Sequence, residues 1–468
     1  MNIEEAELIL KEHGQEHVLS CRDKLEAEEQ ANLLAQIKKL DFKSISRMQA
    51  ILKEDKAGGA CEQSRSEPVP PKVFELSGAD EIAAVIAGEE ELCAGKVGVL
   101  VVAGGQGSRL GYDGPKGAYA IGPVSNASLF YFHARKILGL SRKYGVRIPF
   151  YIMTSDVNDA ATRSHFEEHA YFGMNPDDVM FFTQGMWPAL DLNGKIMMDS
   201  PGHIFMSPDG HGGTLSALEK CGCLADMEKR GIKSIFFFQV DNPMIEIADP
   251  AFIGVHVREQ ADLSIKLCAK REPLEGLGVV VERDGRFEMV EYTELTDEQA
   301  HQLDDNGELY FKYGSVAIHV FSYDFLKAEA LRDMPLHIAN KKIPVCDADG
   351  DIVKPEEPNG CKFEKFIFDV LPDAKKIVNM AFDRAEEFSP VKNAEGKDSP
   401  ATCRHDLQLK WLRWFKEIGV EIPVDESGAP LFPLEIDPVY ALNAGDLKAR
   451  GISLQGLKRF NGLKWTER

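Results

Sequence analysis

Residues 98–117 read GVLVVAGGQGSRLGYDGPKG. The first half is an apolar run of the length and texture of a strand buried on both faces. It passes straight into a turn with glycines at 104, 105 and 107. Such a turn lets the backbone approach a ligand closely and offers it amide N–H groups. Arg109 can fork onto phosphate oxygens, Lys116 adds a mobile point charge, and Pro115 stiffens the chain before it. Two better-known motifs fail. The dinucleotide pattern G-x-G-x-x-G, started at Gly105, meets Leu110 where its third glycine belongs, and a P-loop needs G-K-[ST] where this chain has Pro115, Lys116 and Gly117. A glycine-rich turn can also serve packing alone, but two basic residues bracketing this one argue for an anionic ligand.

Three further apolar runs have strand texture: IPFYIMT at 148–154, DVMFF at 178–182 and IKSIFFFQVD at 232–241. Amphipathic helical stretches separate them at about 126–143, 157–170 and 213–230. This alternation predicts an α/β fold: a central mixed, mainly parallel sheet, Rossmann-like, flanked by helices. Ligands of such sheets sit at the carboxyl ends of the strands. The glycine turn and Asp241 both fall there.

The flanking sequence has a different texture. Residues 1 to about 53 carry Leu8, Ile9, Leu10, Val18, Leu19, Leu33, Leu34 and Ile37 at helical spacing among charges. Residues 54–72 read as a Gly-, Ser- and Pro-rich linker. We therefore expect a helical segment with its linker at 1–72, a catalytic domain at 73–400 and a small C-terminal domain of mixed structure at 401–468. No internal repeat is seen.

Composition narrows the function. The 468 residues hold 54 Lys plus Arg against 75 Asp plus Glu, for a net charge of -21. No concentrated basic face is available for a phosphate backbone, which argues against nucleic acid as a partner. No apolar run approaches the ~20 residues of a membrane span, and the start, MNIEEAELILKEHG, lacks a signal peptide's apolar core. Nine scattered cysteines without zinc-ligand spacing read as reduced thiols. A cytoplasmic enzyme is expected, and the sequence leaves its oligomeric state open.

The glycine segment resembles the signature of the UDP-sugar pyrophosphorylases, close to L-x-G-G-x-G-T-R-L-G-x-x-x-P-K-G, with Ser108 in place of the usual Thr. The resemblance to the UDP-N-acetylglucosamine pyrophosphorylase branch runs over about residues 13–450. It is carried by GQEHVL, YFG, FFTQGMWPAL, MSPDGHGG, QVDNP, KKIP, KPEEPNGCKFEKFIFD and EFSPVKNAEGKD. It implies transfer of a uridylyl group from UTP to a sugar 1-phosphate, with Mg2+, and release of pyrophosphate.

Residue by residue, the resemblance implies the following. Ala103, Gly104, Gly105, Gln106 and Gly107 cradle the nucleotide together with Arg109 and Lys116. Asp241, a hard-oxygen donor at a strand end, holds the metal; its plainer role would be to cap the turn before Asn242 and Pro243. Gln184 has a donor and an acceptor for the uracil edge, or is a surface amide. Gly210 brings its backbone to the nucleotide, and His211, which stands where the branch has Asn, is expected to face the sugar. Gly278 and Glu291, around an expected Asp-Gly hairpin, face the sugar with Ser315, Lys362 and Lys392. The alternative for Glu291 is a buried or strand-end carboxylate in a salt bridge. Phe366 and Phe368 are expected on one face of a strand.

The branch reads close to N-A-G-N-I-A-N-H where this chain has Lys312–Tyr313–Gly314–Ser315–Val316–Ala317–Ile318–His319. Ser315 therefore replaces the sugar-contacting Asn. N-acetylglucosamine 1-phosphate is the expected substrate, with glucose or galactose 1-phosphate as the alternative. A non-catalytic sugar-nucleotide sensor would be favoured by loss of Arg109, Lys116 or Asp241, and all three are present. The N-terminal helices fill too little of the chain to make it chiefly an interaction module.

Overall fold

The computed structural model describes residues 1–56, 66–347, 350–451 and 463–465. Part of the linker expected at 54–72 lies outside these residues. The chain forms two compact units, each assembled from separate stretches: 1–66, 184–214 and 333–369 in the smaller, and 67–183, 215–332 and 370–468 in the larger.

The larger unit is built on eight strands: β1 (Val73–Phe74), β2 (Val97–Val102), β3 (Phe150–Thr154), β4 (Val179–Thr183), β5 (Ser234–Gln239), β6 (Leu263–Ala269), β7 (Tyr313–Ser322) and β8 (Ile377–Phe382). Their order across the sheet is β1-β8-β6-β7-β5-β2-β3-β4. Every pairing is parallel except those of β7, which runs antiparallel to both β5 and β6. The expected α/β class with a mainly parallel sheet is what the chain forms. Strands β2, β3 and β5 are the apolar runs of the sequence, buried almost throughout. That is why they read as continuous hydrophobic runs and not as alternations.

The covering helices follow local signals. Leu129–Tyr144 starts at Ser128, whose side chain accepts from the Tyr131 amide, and stops at Gly145 in the left-handed region. The stretch expected as one helix at 213–230 is two, Gly213–Lys220 and Cys223–Arg230, separated at Gly222 with φ 77°. Helices Gly78–Cys93 and Pro250–Glu259 meet backbone to backbone. A Cβ on Gly88 would lie 1.8 Å from the Pro250 carbonyl oxygen, and one on Gly254 1.7 Å from that of Ala84.

The C-terminal stretch contributes to the core of the same unit. Trp411, Trp414 and Phe415, on helix Pro400–Glu417, pack in the cluster that holds Phe132, Phe150 and Phe236. Glu435, fully buried, accepts from the amides of Val124 and Ser125 at 2.9 Å each. Asp437 takes Arg135 on both oxygens at 2.9 and 2.7 Å. A buried carboxylate needs such donors to remain charged.

In the smaller unit the N-terminal helices Ile3–Glu12, Ala27–Lys39 and Phe42–Lys56, with the 3-10 turn Glu16–Leu19, bury Leu10, Val18, Leu33 and Ile37 as their spacing predicts. Leu8 remains 71% exposed. Gln15 explains the GQEHVL stretch: its side chain donates to the Gly194 carbonyl at 3.0 Å and accepts from the Ile196 amide at 2.8 Å, out of contact with solvent.

Candidate functional site

The glycine turn leaves β2 with its carbonyls tethered. Asn158 Nδ2 donates to the carbonyls of Ala103 and Gly105 at 2.9 and 3.2 Å, and Ser155 Oγ to that of Gly104 at 2.9 Å. The turn closes through Gly107 N to Gly114 O at 2.9 Å and Lys116 N to Gly105 O at 3.0 Å. The amides of Gly104, Gly105 and Gln106 have no acceptor among the described residues. Bound carbonyls beside unbound amides make an anion-binding nest. Asn158 and Ser155 follow β3 and were not singled out in the sequence; only their place at the end of a strand next to β2 could have marked them.

Lys116 Nζ lies 3.1 Å from Asp241 Oδ2. The two side chains are 19% and 11% exposed. Arg109 is exposed and makes no ion pair among the described residues. Asp241 is in turn joined to the segment that carries Lys392. The Val391 amide donates to the Asp241 carbonyl at 2.9 Å, and Asn242 accepts from the Ser389 amide at 3.1 Å while donating to the Glu387 carbonyl at 2.6 Å. Lys392 is half-buried, its Nζ 5.9 Å from the Phe388 ring. Three of the expected phosphate and metal residues are thus brought together.

The hairpin forms as read: Val279–Arg283 pairs with Arg286–Val290 around Asp284 and Gly285, both at positive φ. Val279 faces Val290 in the last pair, so Gly278 and Glu291 come next at its open end. The Ser315 amide donates to the Gly278 carbonyl at 2.8 Å, which brings these two expected sugar residues together. Ser315 also sits at a bulge. Across from β6, Lys266 pairs with Ile318 and Leu267 with Ser315, so Val316 and Ala317 are extra, and Ala317 takes φ 58°. A bulge with a non-glycine left-handed residue is the kind of local strain found beside ligand sites.

Gln184, Gly210, His211 and Lys362 belong to the smaller unit. Gln184 is buried, and Gly210 at φ 83° has no room for a Cβ, which would lie 2.5 Å from the Lys365 carbonyl. Lys362, on strand Gly360–Glu364, holds its Nζ 5.0 Å from the Phe205 ring. His211 stacks on Phe366 at 5.4 Å, and its Nδ1 accepts from the Ile367 amide at 3.0 Å. Burial lowers it to about 4, against the pull of Asp369. It is a neutral imidazole with its proton on Nε2. Phe366 and Phe368 correct one expectation: the strand ends at Glu364 and residues 367–373 wind into a 3-10 turn. Both rings still flank His211, at 5.4 and 5.6 Å.

A family model described as UTP–glucose-1-phosphate uridylyltransferase matches residues 41–398. The chain belongs to the UTP–glucose-1-phosphate uridylyltransferase family. Among its relatives, UDP-N-acetylhexosamine pyrophosphorylase-like protein 1 of Xenopus tropicalis is 38% identical over 90% of this chain and 86% of its own. UDP-N-acetylglucosamine pyrophosphorylase of Saccharomyces cerevisiae is 40% identical over 71% and 72%. The crystal structure of the uridine diphosphate N-acetylglucosamine pyrophosphorylase of Trypanosoma brucei superposes with a TM-score of 0.82 at 28% identity, covering 98% of this chain and 97% of the other.

Two places in this member of the uridylyltransferase family offer carboxylate oxygens to be weighed for a cation, one a cluster and one a single residue. Glu246, Asp249 and Glu387 converge within 4.8 Å. However, Lys266, fully buried, sits 2.8 Å from Asp249 and 2.5 Å from Glu387, and Lys410 is 3.2 Å from Glu246. Three carboxylates already neutralised by buried ammonium groups form a structural network and do not fit a metal. Asp241 differs. Lys116 engages Oδ2, and Oδ1 has no hydrogen bond among the described residues. One uncommitted carboxylate oxygen at a strand end fits a single hard-cation contact. Among the described residues, no helix is long and apolar enough to cross a membrane.

Proposed function

We propose that this chain joins UTP to a sugar 1-phosphate, N-acetylglucosamine 1-phosphate first among them, and releases pyrophosphate. The observation that carries this reading is the Lys116–Asp241 pair beside the three unbound amides of Gly104, Gly105 and Gln106.

A phosphate oxygen of the sugar attacks the α-phosphorus of UTP in line. The bond to the β,γ-diphosphate breaks, and pyrophosphate takes the electron pair. The attacking oxygen is already anionic near neutral pH, so no proton has to be removed. The protein's task is to hold two polyanions in line and offset their repulsion. Arg109, Lys116 and the turn amides take the triphosphate. Lys392, tied to Asp241 through Val391, steers the sugar phosphate. Asp241, through its unengaged Oδ1, would hold a magnesium ion, which would supply charge neutralisation at the reacting phosphate.

The bulge at Ser315 supports a second reading of the sugar. A serine hydroxyl reaches less far than the branch's Asn amide, so glucose 1-phosphate competes. Pyrophosphate release from UTP and magnesium, with a panel of N-acetylglucosamine, glucose and galactose 1-phosphates, tests both. Activity with N-acetylglucosamine 1-phosphate is expected. A preference for glucose 1-phosphate beyond ~10-fold, on the scale of one lost polar contact, would move the chain to the second reading. No release with any of them would end both.

A further inference from the structure

The turn that follows Asp241 is held from behind by buried side chains that take no part in the chemistry above. After β5 the chain runs Val240–Asp241–Asn242–Pro243–Met244–Ile245–Glu246, outside any helix or strand. Irregular backbone in a protein interior must find hydrogen-bond partners. Helix Leu129–Tyr144 supplies three of them from one face: His133 Nε2 to the Val240 carbonyl at 2.9 Å, and Lys136 Nζ to the carbonyls of Pro243 at 2.5 Å and Ile245 at 2.6 Å. Positions 133 and 136 are three apart and so share a face. Lys410 Nζ takes the Met244 carbonyl at 3.3 Å.

A lysine Nζ bound to two main-chain carbonyls two residues apart holds the path of the turn between them. Among the described residues, no other side chain binds that turn twice at its carbonyls. Lys410 divides its contacts among Met244, Glu246 and the Glu386 carbonyl, and Lys266 pairs with the carboxylates of Asp249 and Glu387. Asp241 lies two residues before that turn, and its carbonyl accepts from the Val391 amide, next to Lys392.

We propose that Lys136 is a positioning residue for Asp241: it holds the 243–245 turn so that the Asp241 carboxylate stays in register with Lys116 and with the Lys392 segment. The inference rests on the reading of Asp241 as the cation-holding residue. Lys136 touches neither Asp241 nor any group assigned to substrate, so its influence passes through the backbone alone.

The test is a double-mutant cycle on binding, read by calorimetry of magnesium–UTP without sugar phosphate, with turnover measured in parallel. Lys136→Met removes the ammonium and keeps the stem. Lys136→Arg keeps a donor able to bridge two carbonyls, with room in the adjoining cavity walled by Phe132, Leu140 and Trp411. Lys136→Met is expected to weaken magnesium–UTP binding ~10-fold and to lower kcat more than it raises KM for the sugar phosphate. Lys136→Arg should recover binding to within ~3-fold of the parent. In an Asp241→Asn background Lys136→Met should add almost nothing, because coupled residues are non-additive.

Full additivity of the two substitutions, or a folded Lys136→Met protein that binds magnesium–UTP like the parent, would overturn the proposal. Should Lys136→Met fail to fold, Lys136→Arg and Lys136→Gln decide it: the shorter Gln should bind magnesium–UTP more weakly than Arg, and equal binding by the two would overturn the proposal. Near-normal binding by Asp241→Asn alone would instead refute the reading of Asp241, which separates the two failures.

Discussion

The carboxylate of Asp241 is shared between a lysine on its Oδ2, Lys116 at 3.1 Å, and an Oδ1 that no described residue engages. This asymmetry makes the pair sensitive to substitutions that preserve shape.

Asp241→Asn keeps the volume and the main-chain bond to Val391 but removes the charge. Turnover should fall at least ~100-fold, the scale of losing one strong electrostatic contact. Steady-state kinetics beside a melting curve check this, and a folded variant of near-normal rate would exclude Asp241 as the metal ligand.

Lys116→Ala and Lys392→Ala should separate the substrates. The first should raise KM for UTP most, and the second KM for the sugar phosphate. Lys116→Ala also leaves the largely buried Asp241 carboxylate without its counter-ion, so its melting temperature should drop as well. If each variant lost affinity for the opposite substrate, the orientation assigned to the pocket would be reversed.

Ser315→Asn restores the longer amide of the N-acetylglucosamine branch at the bulge. It should raise the ratio of kcat/KM for N-acetylglucosamine 1-phosphate over glucose 1-phosphate by ~5- to 150-fold, equivalent to ~1–3 kcal/mol for one polar contact. An unchanged ratio would remove Ser315 from the sugar pocket.

His133 sets an acid limit on the Asp241 turn. Burial lowers it from 6.5 to about 3, with the Lys136 charge adding to the effect. The folded protein therefore keeps it neutral where the unfolded chain binds a proton. Its contribution is complete above pH 6.5 and is lost as pH falls, at up to about 1.4 kcal/mol per pH unit. Urea denaturation at pH 7.0 and 5.0 should show a smaller pH difference for His133→Gln than for the parent. A larger difference would contradict the sign.

Much of this fold was legible because β2, β3 and β5 are buried on both faces and so spell themselves out as apolar runs. The strand β7 was hidden. Its bulge at Val316–Ala317 breaks the period of two, and its tyrosine, serine and histidine do not look like a core strand. The reading of Phe366 and Phe368 failed for the opposite reason: they alternate like strand residues while the backbone has already left the strand. The glycine turn, Lys116 and Asp241 could be named from motif and position. Asn158, His133, Lys136 and Lys410 could not, because each acts on a stretch of main chain far away in sequence, and a main-chain carbonyl leaves no mark on residue type.

The crossing of Gly88 over Gly254 has a consequence for how this protein can change over generations. Neither position has room for a single methyl group, and the helix that contains Gly254 begins four residues beyond Glu246. A replacement at either glycine would force two helices apart and transmit the displacement toward the Asp241 turn. At Ser315, the proposed sugar contact, the lineage can by contrast exchange one side chain on one strand by single, reversible steps. At the crossing it is confined to two sites where any side chain larger than hydrogen meets backbone.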